Sequence, residues 1–207
     1  MSSYFAWFGL PGTFVLTVLM STLALVLALC RPSKHRWLCF AAMALSTGGD
    51  LFLTNFRGLG DLPNSFVIGA CLFGIAHVFY LLTYRTLSRS RGYRPVTRAG
   101  LIPAVIIALG CIAYFTYMCA SRGDFGMFPL CMVYLMLISA NTATILSYAF
   151  SAFRKRPAAI LAAVGAVSFF FSDFIIGLDM LAGIPGLGHL IWWFYPIGQI
   201  LIIASAE

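Results

Sequence analysis

Residues 99–119, AGLIPAVIIALGCIAYFTYMC, hold no charged side chain across 21 consecutive positions. A helix rises about 1.5 Å per residue and needs about 20 apolar residues to cross the hydrocarbon of a bilayer, so this stretch is long enough to span one. Arg98 precedes it and Arg122 closes it. Working outward in both directions, six more apolar runs follow, at about 8–30, 36–56, 65–85, 126–150, 158–180 and 187–205. In hydrocarbon every backbone N–H and C=O must be satisfied internally, which leaves helices or a closed barrel. A barrel would show short alternating segments instead of these long runs. The sequence therefore predicts an all-α, polytopic transmembrane bundle of seven helices that forms a single transmembrane domain over residues 1–207. The first run lacks a basic leader and is too long for a signal peptide, so it reads as the first span.

Composition agrees. Of the 207 residues 61% are hydrophobic and 9% charged, against roughly 45–50% and about 25% in a soluble domain. So few charges cannot solvate a globular surface, which excludes a cytosolic enzyme, and so apolar a chain is not disordered. The net charge of +7 would point to nucleic acid in a soluble protein. Here topology accounts for it, so no nucleic-acid partner is inferred. Arg31, Lys34 and Arg36 follow the first run, Arg85, Arg89, Arg91, Arg94 and Arg98 the third, and Arg154, Lys155 and Arg156 the fifth. Only Arg57 and Arg122 fall in the alternate connections. Cytoplasmic loops carry the excess of Lys and Arg, which places the N-terminus outside and the C-terminus in the cytoplasm. Trp7, Trp37, Trp192 and Trp193 all fall where a run meets the interface, as an aromatic belt requires. The six cysteines show no C-x-x-C spacing and read as small buried hydrophobes.

Polar groups inside the runs need a reason. An ionised Asp at a helix centre costs about 2.5–3.5 kcal/mol on the insertion scale. Asp50 and Asp173 each lie about two thirds of the way along a run, about 20–24 Å from its inner end, so both can share one depth. Asn would serve a purely hydrogen-bonding role more cheaply, and both aspartates are therefore assigned to chemistry. His77 lies mid-run with Tyr80 and Tyr84 at i+3 and i+7 on its face. Ser46 and Thr47 stand a turn before Asp50, and Ser172 adjoins Asp173. Asn141 interrupts the fifth run, while Tyr195 and Gln199 are one turn apart in the seventh, with Pro196 between them. Ser139, Thr142, Thr144 and Ser168 read as hydrogen-bonding glue between helices. His35, His77 and His189 are too few and too scattered for a zinc site, and no metal or other cofactor is assigned. No G-x-S-x-G elbow is present. Two carboxyls at one depth suit acid–base work, one donating a proton and the other remaining a carboxylate.

The stretch Ala44–Leu53, ALSTGGDLFL, and then Phe73–Tyr80, FGIAHVFY, resemble the S-x-x-G-D and H-x-x-Y signatures of the YhhN-like lysoplasmalogenase family. Gly165–Asp173, GAVSFFFSD, is similar to its G-A-x-x-F-x-x-S-D segment, and Tyr195, Gln199, Leu201 and Ile202 to its Y-x-x-x-Q-x-L-I end. The four motifs stand in family order across about residues 36–205. Pro196 and Gly198 depart from the residues usual there, and family members often carry eight helices, which leaves an eighth open. The resemblance implies hydrolysis of the vinyl ether bond of a lysoplasmalogen to a fatty aldehyde and a glycerophospho-alcohol. It implies Asp50 and Asp173 as the acid–base pair, with Ser46, His77, Tyr80, Asn141, Ser172, Tyr195 and Gln199 binding or orienting substrate. The partners it implies are a lysophospholipid substrate and membrane lipid, with a monomer as the default state. A proton-coupled small-molecule or lipid transporter is the alternative, since such relays are also built from intramembrane Asp and His. A transporter would show broken helices in matching positions of two halves, and the only hints of that, Gly48-Gly49 and Pro196, are not symmetric.

Overall fold

A computed structural model describes residues 12–182 and 187–206. The seven expected α-helices are all present: α1 Gly12–Cys30, α2 Lys34–Leu53, α3 Ser65–Ser90, α4 Arg98–Arg122, α5 Phe128–Ala152, α6 Ile160–Ala182 and α7 Gly188–Ser205. Two short 3-10 turns, Phe56–Asp61 and Pro157–Ala159, complete the described chain, which contains no strand. Six of these helices are long and apolar enough to cross a membrane. The exception is α2, which opens on Lys34-His35-Arg36 and carries Ser46, Thr47 and Asp50 within its 20 residues. The protein is an integral, multi-pass membrane protein. Trp7 and the first residues of the expected opening span lie outside the described residues.

Two helix boundaries differ from expectation for physical reasons. The second helix stops at Leu53 and not at 56, because Thr54 turns back on it. Its N–H and its hydroxyl both donate to the carbonyl of Asp50, at 2.9 and 2.7 Å. Asn55, Arg57 and Gly58 then adopt positive φ and carry the chain away. The third helix runs five residues past the expected 85, so Arg85 and Arg89 stand on its last turns and not in a loop. Both are exposed, and their long stems let the charge reach the headgroup layer while the backbone stays helical.

The chain forms two compact units, residues 1–83 and 84–207, with α3 contributing to both. In the first unit Thr47 joins α2 to α1. Its hydroxyl meets the carbonyls of Thr17 and Met43 at 3.2 and 3.1 Å and shares a 2.8 Å bond with Ser21. Against α3 the same helix presents Gly49. A Cβ there would lie 2.6 Å from the Phe73 ring, and one at Gly69 would lie 3.3 Å from the Gly49 carbonyl. Without a hydrophobic drive between helices in lipid, such small residues let backbones approach closely enough for dispersion to hold them.

In the second unit α5 is the central element: every residue from Asn141 to Ala149 is buried. Cys111, Phe115 and Cys119 of α4, Leu135 and Ile138 of α5 and Phe170 of α6 make a core cluster. The start of α4 is pinned to α5 where the Thr97 N–H donates to the Ser147 hydroxyl at 2.9 Å. The α6–α7 pair meets through Gly165 and Gly198. A Cβ on Gly198 would come 2.7 Å from the Phe169 nitrogen, and one on Gly165 would come 3.0 Å from the Gly198 carbonyl. Tyr84, near the end of α3, donates to the Ile202 carbonyl at 2.8 Å and shares a 2.8 Å bond with the Ser205 hydroxyl, which fixes it to the end of α7.

Candidate active site

The buried residues of α2 include Arg36, Cys39, Met43, Ser46 and Asp50. Their spacing alternates between three and four, which draws one stripe along the helix. Asp50 sits near its upper end, about 24 Å along the axis from Lys34, and is only 4% exposed. Ser46, a turn below, is fully buried, and its hydroxyl has no hydrogen-bond partner among the described residues. On α3, Phe73, His77 and Tyr80 form the buried face, and the Tyr80 hydroxyl donates to Met43 Sδ at 3.5 Å. In the first unit, then, Ser46, Asp50, His77 and Tyr80 all stand on inward faces of α2 and α3.

The second unit holds the other expected residues. Asp173, about 20 Å along α6 from Ile160, is half-buried. One carboxyl oxygen accepts a 2.6 Å bond from the Tyr134 hydroxyl of α5, and the other takes a long 3.4 Å bond from Ser172. Ser172 spends its better bond, 2.8 Å, on the Phe169 carbonyl, so Tyr134 is the principal donor among these. The 2.6 Å separation lies in the range of an O–H donor on a charged oxygen, roughly twice as strong as a neutral pair. Asn141 is buried on α5, two turns from Tyr134. Tyr195 and Gln199 are buried on α7, where Tyr195 packs edge-on against Phe169 and Trp192, with ring centroids 5.7 and 5.8 Å away. Asp50, His77, Tyr80, Asn141, Asp173, Tyr195 and Gln199 all have interaction partners, which is how a membrane interior tolerates them.

Tyr134 is the residue that sequence reasoning missed. In the run FPLCMVYLMLISAN a tyrosine reads as one more aromatic filler. The available signal was its seven-residue spacing from Asn141, which sets both on one helix face.

Other expectations need correction. The two hints of broken helices do not hold: α2 runs continuously through Gly48-Gly49, and α7 continuously through Pro196. Gly49 serves packing against Phe73 instead. Two of the hydroxyls assigned to glue between helices do not bridge them. Thr144 bonds the Ala140 carbonyl of its own helix at 2.9 Å, and the Ser139 hydroxyl has no hydrogen-bond partner among the described residues. Cys30 and Cys71 are exposed, not buried. Among the described residues no three of His, Cys, Asp and Glu gather where one metal ion could be held.

The profile of the YhhN family matches residues 12–206. The lysoplasmalogenases of Mycobacterium bovis and Mycobacterium tuberculosis are each 28% identical to the chain over 189 residues, covering 90% of it and 67% of the relative. No solved structure matches.

Proposed function

The chain belongs to the YhhN family, and from that premise we propose that it is a lysoplasmalogenase, a hydrolase of the alkenyl ether bond of lysoplasmenyl-ethanolamine or -choline. The observation that carries the reading is a pair of carboxyl groups withdrawn into the helices of a multi-pass membrane protein. Asp50 is buried and Asp173 is gripped by a tyrosine hydroxyl, in a chain similar to two lysoplasmalogenases over nine tenths of its length.

A vinyl ether is activated by protonation at its β-carbon, which leaves an oxocarbenium-like cation at the carbon bearing oxygen. Water adds to that carbon and loses a proton, and the resulting hemiacetal collapses to aldehyde and alcohol. The sum is one alkenyl ether plus one water giving one aldehyde and one glycerophospho-alcohol, with no redox change. The reaction needs one proton donor and one anionic group facing the cation, the division of labour seen between glycosidase carboxyls. Asp173 already accepts the Tyr134 hydroxyl and takes the role of the carboxylate that faces the cation and draws the proton from water. Asp50 takes the role of the proton donor.

Tyr134 holds the Asp173 carboxyl in one rotamer, so its position does not have to be found at each turnover. The Ser46 hydroxyl can bind the water or the free glycerol hydroxyl. His77, Tyr80, Asn141, Ser172, Tyr195 and Gln199 supply the remaining polar contacts to the head of the substrate. The single alkenyl chain needs only apolar helix surface, which a multi-pass bundle offers in excess. With the positive-inside orientation, Lys- and Arg-rich connections lie in the cytoplasm and the N-terminus outside.

The test is aldehyde release by purified protein in detergent, run in D2O. Protonation at carbon predicts one deuterium on the carbon next to the aldehyde carbonyl. Asp50→Asn and Asp173→Asn are each expected to slow release by about 10²- to 10⁴-fold while elution and helical circular dichroism stay as in the parent. Release of unlabelled aldehyde, or turnover unchanged in both variants, would refute the assignment.

A further inference from the structure

In the first unit the hydroxyls of Thr17, Thr22, Thr47, Thr54 and Thr83 each donate to a carbonyl three or four residues back, at 2.7–3.1 Å. A hydroxyl on a helix commonly satisfies itself in this way. Ser46 departs from the pattern. It is fully buried, and its Oγ has no hydrogen-bond partner among the described residues, the carbonyl of Ala42 one turn back included. A buried hydroxyl in this state is costly, although a backbone acceptor that would relieve the cost stands in its own helix.

The hydroxyl belongs to the face where α2 meets α3. The Tyr80 hydroxyl reaches Met43 Sδ at 3.5 Å, and a Cβ on Gly49 would lie 2.6 Å from the Phe73 ring. The two helices therefore run antiparallel, and this register sets Ser46 level with Ala76 and His77, both buried. Asp50 stands one turn further along the same stripe, where side chains four apart lie about 5–6 Å from each other. Asp50, His77 and Tyr80 have interaction partners, whereas the Ser46 hydroxyl keeps both its donor and its acceptor sites on offer.

We infer that Ser46 is a specificity-determining residue, which binds the free hydroxyl on the central glycerol carbon of a lysolipid. The lysolipid comes from the hydrolase reading, on which this inference rests. Spacing favours the glycerol hydroxyl over the reacting water. Five bonds separate that oxygen from the vinyl β-carbon that takes the proton from Asp50, about 6 Å when extended, which matches the one helical turn between Ser46 and Asp50. The water is needed only one bond from the protonated carbon. Fully buried Ala42 and Met43 and the tight contact of Gly49 with Phe73 flank the position, so a small hydroxyl fits where an ester with its acyl chain does not. Met43, an unbranched thioether that repacks readily, is the side chain that gives way to the glycerol.

The test measures lipid affinity, not turnover, on the full chain in neutral detergent. The probes are two saturated ether lipids that the reaction cannot cleave, 1-O-alkyl lysophosphatidylethanolamine and its 2-deoxy counterpart, with affinity read from the rise in melting point with lipid concentration. The parent should bind the hydroxyl-bearing lipid about three- to tenfold more tightly, the worth of one neutral hydrogen bond. Ser46→Ala should bind the two lipids alike, at the parent's affinity for the deoxy lipid. Without lipid it should melt no lower than the parent, since it removes a buried hydroxyl that bonds to nothing. A structural hydroxyl would lower that melting point, so a fall, or failure of Ser46→Ala to fold, would overturn the assignment. Equal binding of both lipids by the parent would also overturn it, as would a preference kept in Ser46→Ala. An equal loss of affinity for both lipids would overturn it in favour of water as the ligand. A parent that shows the preference and releases no aldehyde would keep the site and lose the hydrolase, and aldehyde release without the preference would do the opposite.

Discussion

Asp50 and Asp173 are the same side chain at similar depth in their own helices, and the two halves of the molecule bury them to different extents. Asp50 ends a stripe of buried α2 residues and is almost fully withdrawn, with its backbone carbonyl fixed by two bonds from Thr54. Asp173 is half-buried on α6, with a tyrosine from the neighbouring helix on one oxygen and a serine on the other. Both carboxyls have interaction partners, and they differ in how far each is withdrawn from the surface. Acid–base pairs work when their environments differ in this way, because identical surroundings would give both groups the same tendency to hold a proton.

The largest effect that can test this division comes from removing both groups. Residues that act as a unit are strongly non-additive, so the double variant Asp50→Asn/Asp173→Asn is expected to be no slower than the worse single variant, within about threefold, in the aldehyde assay. Losses that multiply would mean that the two carboxyls act independently and would break the pairing. A smaller effect is expected from Tyr134→Phe. A hydrogen bond to a charged group is worth about 1.5–3 kcal/mol, so kcat should fall by about ten- to hundredfold with KM little changed. Its pH–rate profile should also shift, which a purely structural tyrosine would not cause.

Packing offers a comparison of similar size. Gly49→Leu forces a side chain against the Phe73 ring, and overpacking typically costs about 1–3 kcal/mol. Thermal melting should report that loss, and limited proteolysis should locate it in the unit that carries Asp50. Equal protection of all connections would show that the second unit shares the strain.

Most of the fold was legible because hydrocarbon permits so few solutions. Twenty apolar residues without a charge can be little else than a helix there, and all seven helices were found from runs alone. The errors lie where charge was equated with loop. Arg85 and Arg89 carry α3 onward because a long aliphatic stem separates the backbone from the cation. The site was legible only as far as expensive residues go. An intramembrane Asp advertises itself by its cost, whereas Tyr134 costs almost nothing in an apolar helix, and only the partner it reaches reveals it. Gly49 and Gly198 misled in the opposite sense. Glycine beside a polar residue suggested a flexible break or a departure from pattern, while the helices use both positions for close approach.

The smallest effect separates architecture from chemistry within a single turn. Thr47 lies three residues before Asp50, yet its hydroxyl is committed to α1 through Thr17 and Ser21 and to the Met43 carbonyl below it. Hydrogen bonds between membrane helices average only about 0.6 kcal/mol, because the separated helices find other partners. Thr47→Val keeps the shape and removes the hydroxyl, so it should lower unfolding stability by about that amount and leave aldehyde release within about twofold of the parent. If turnover fell tenfold while stability held, α1 would have to be counted among the helices that position Asp50. The more deeply buried carboxyl would then owe its position to three helices, and its burial alone would no longer set it apart from Asp173.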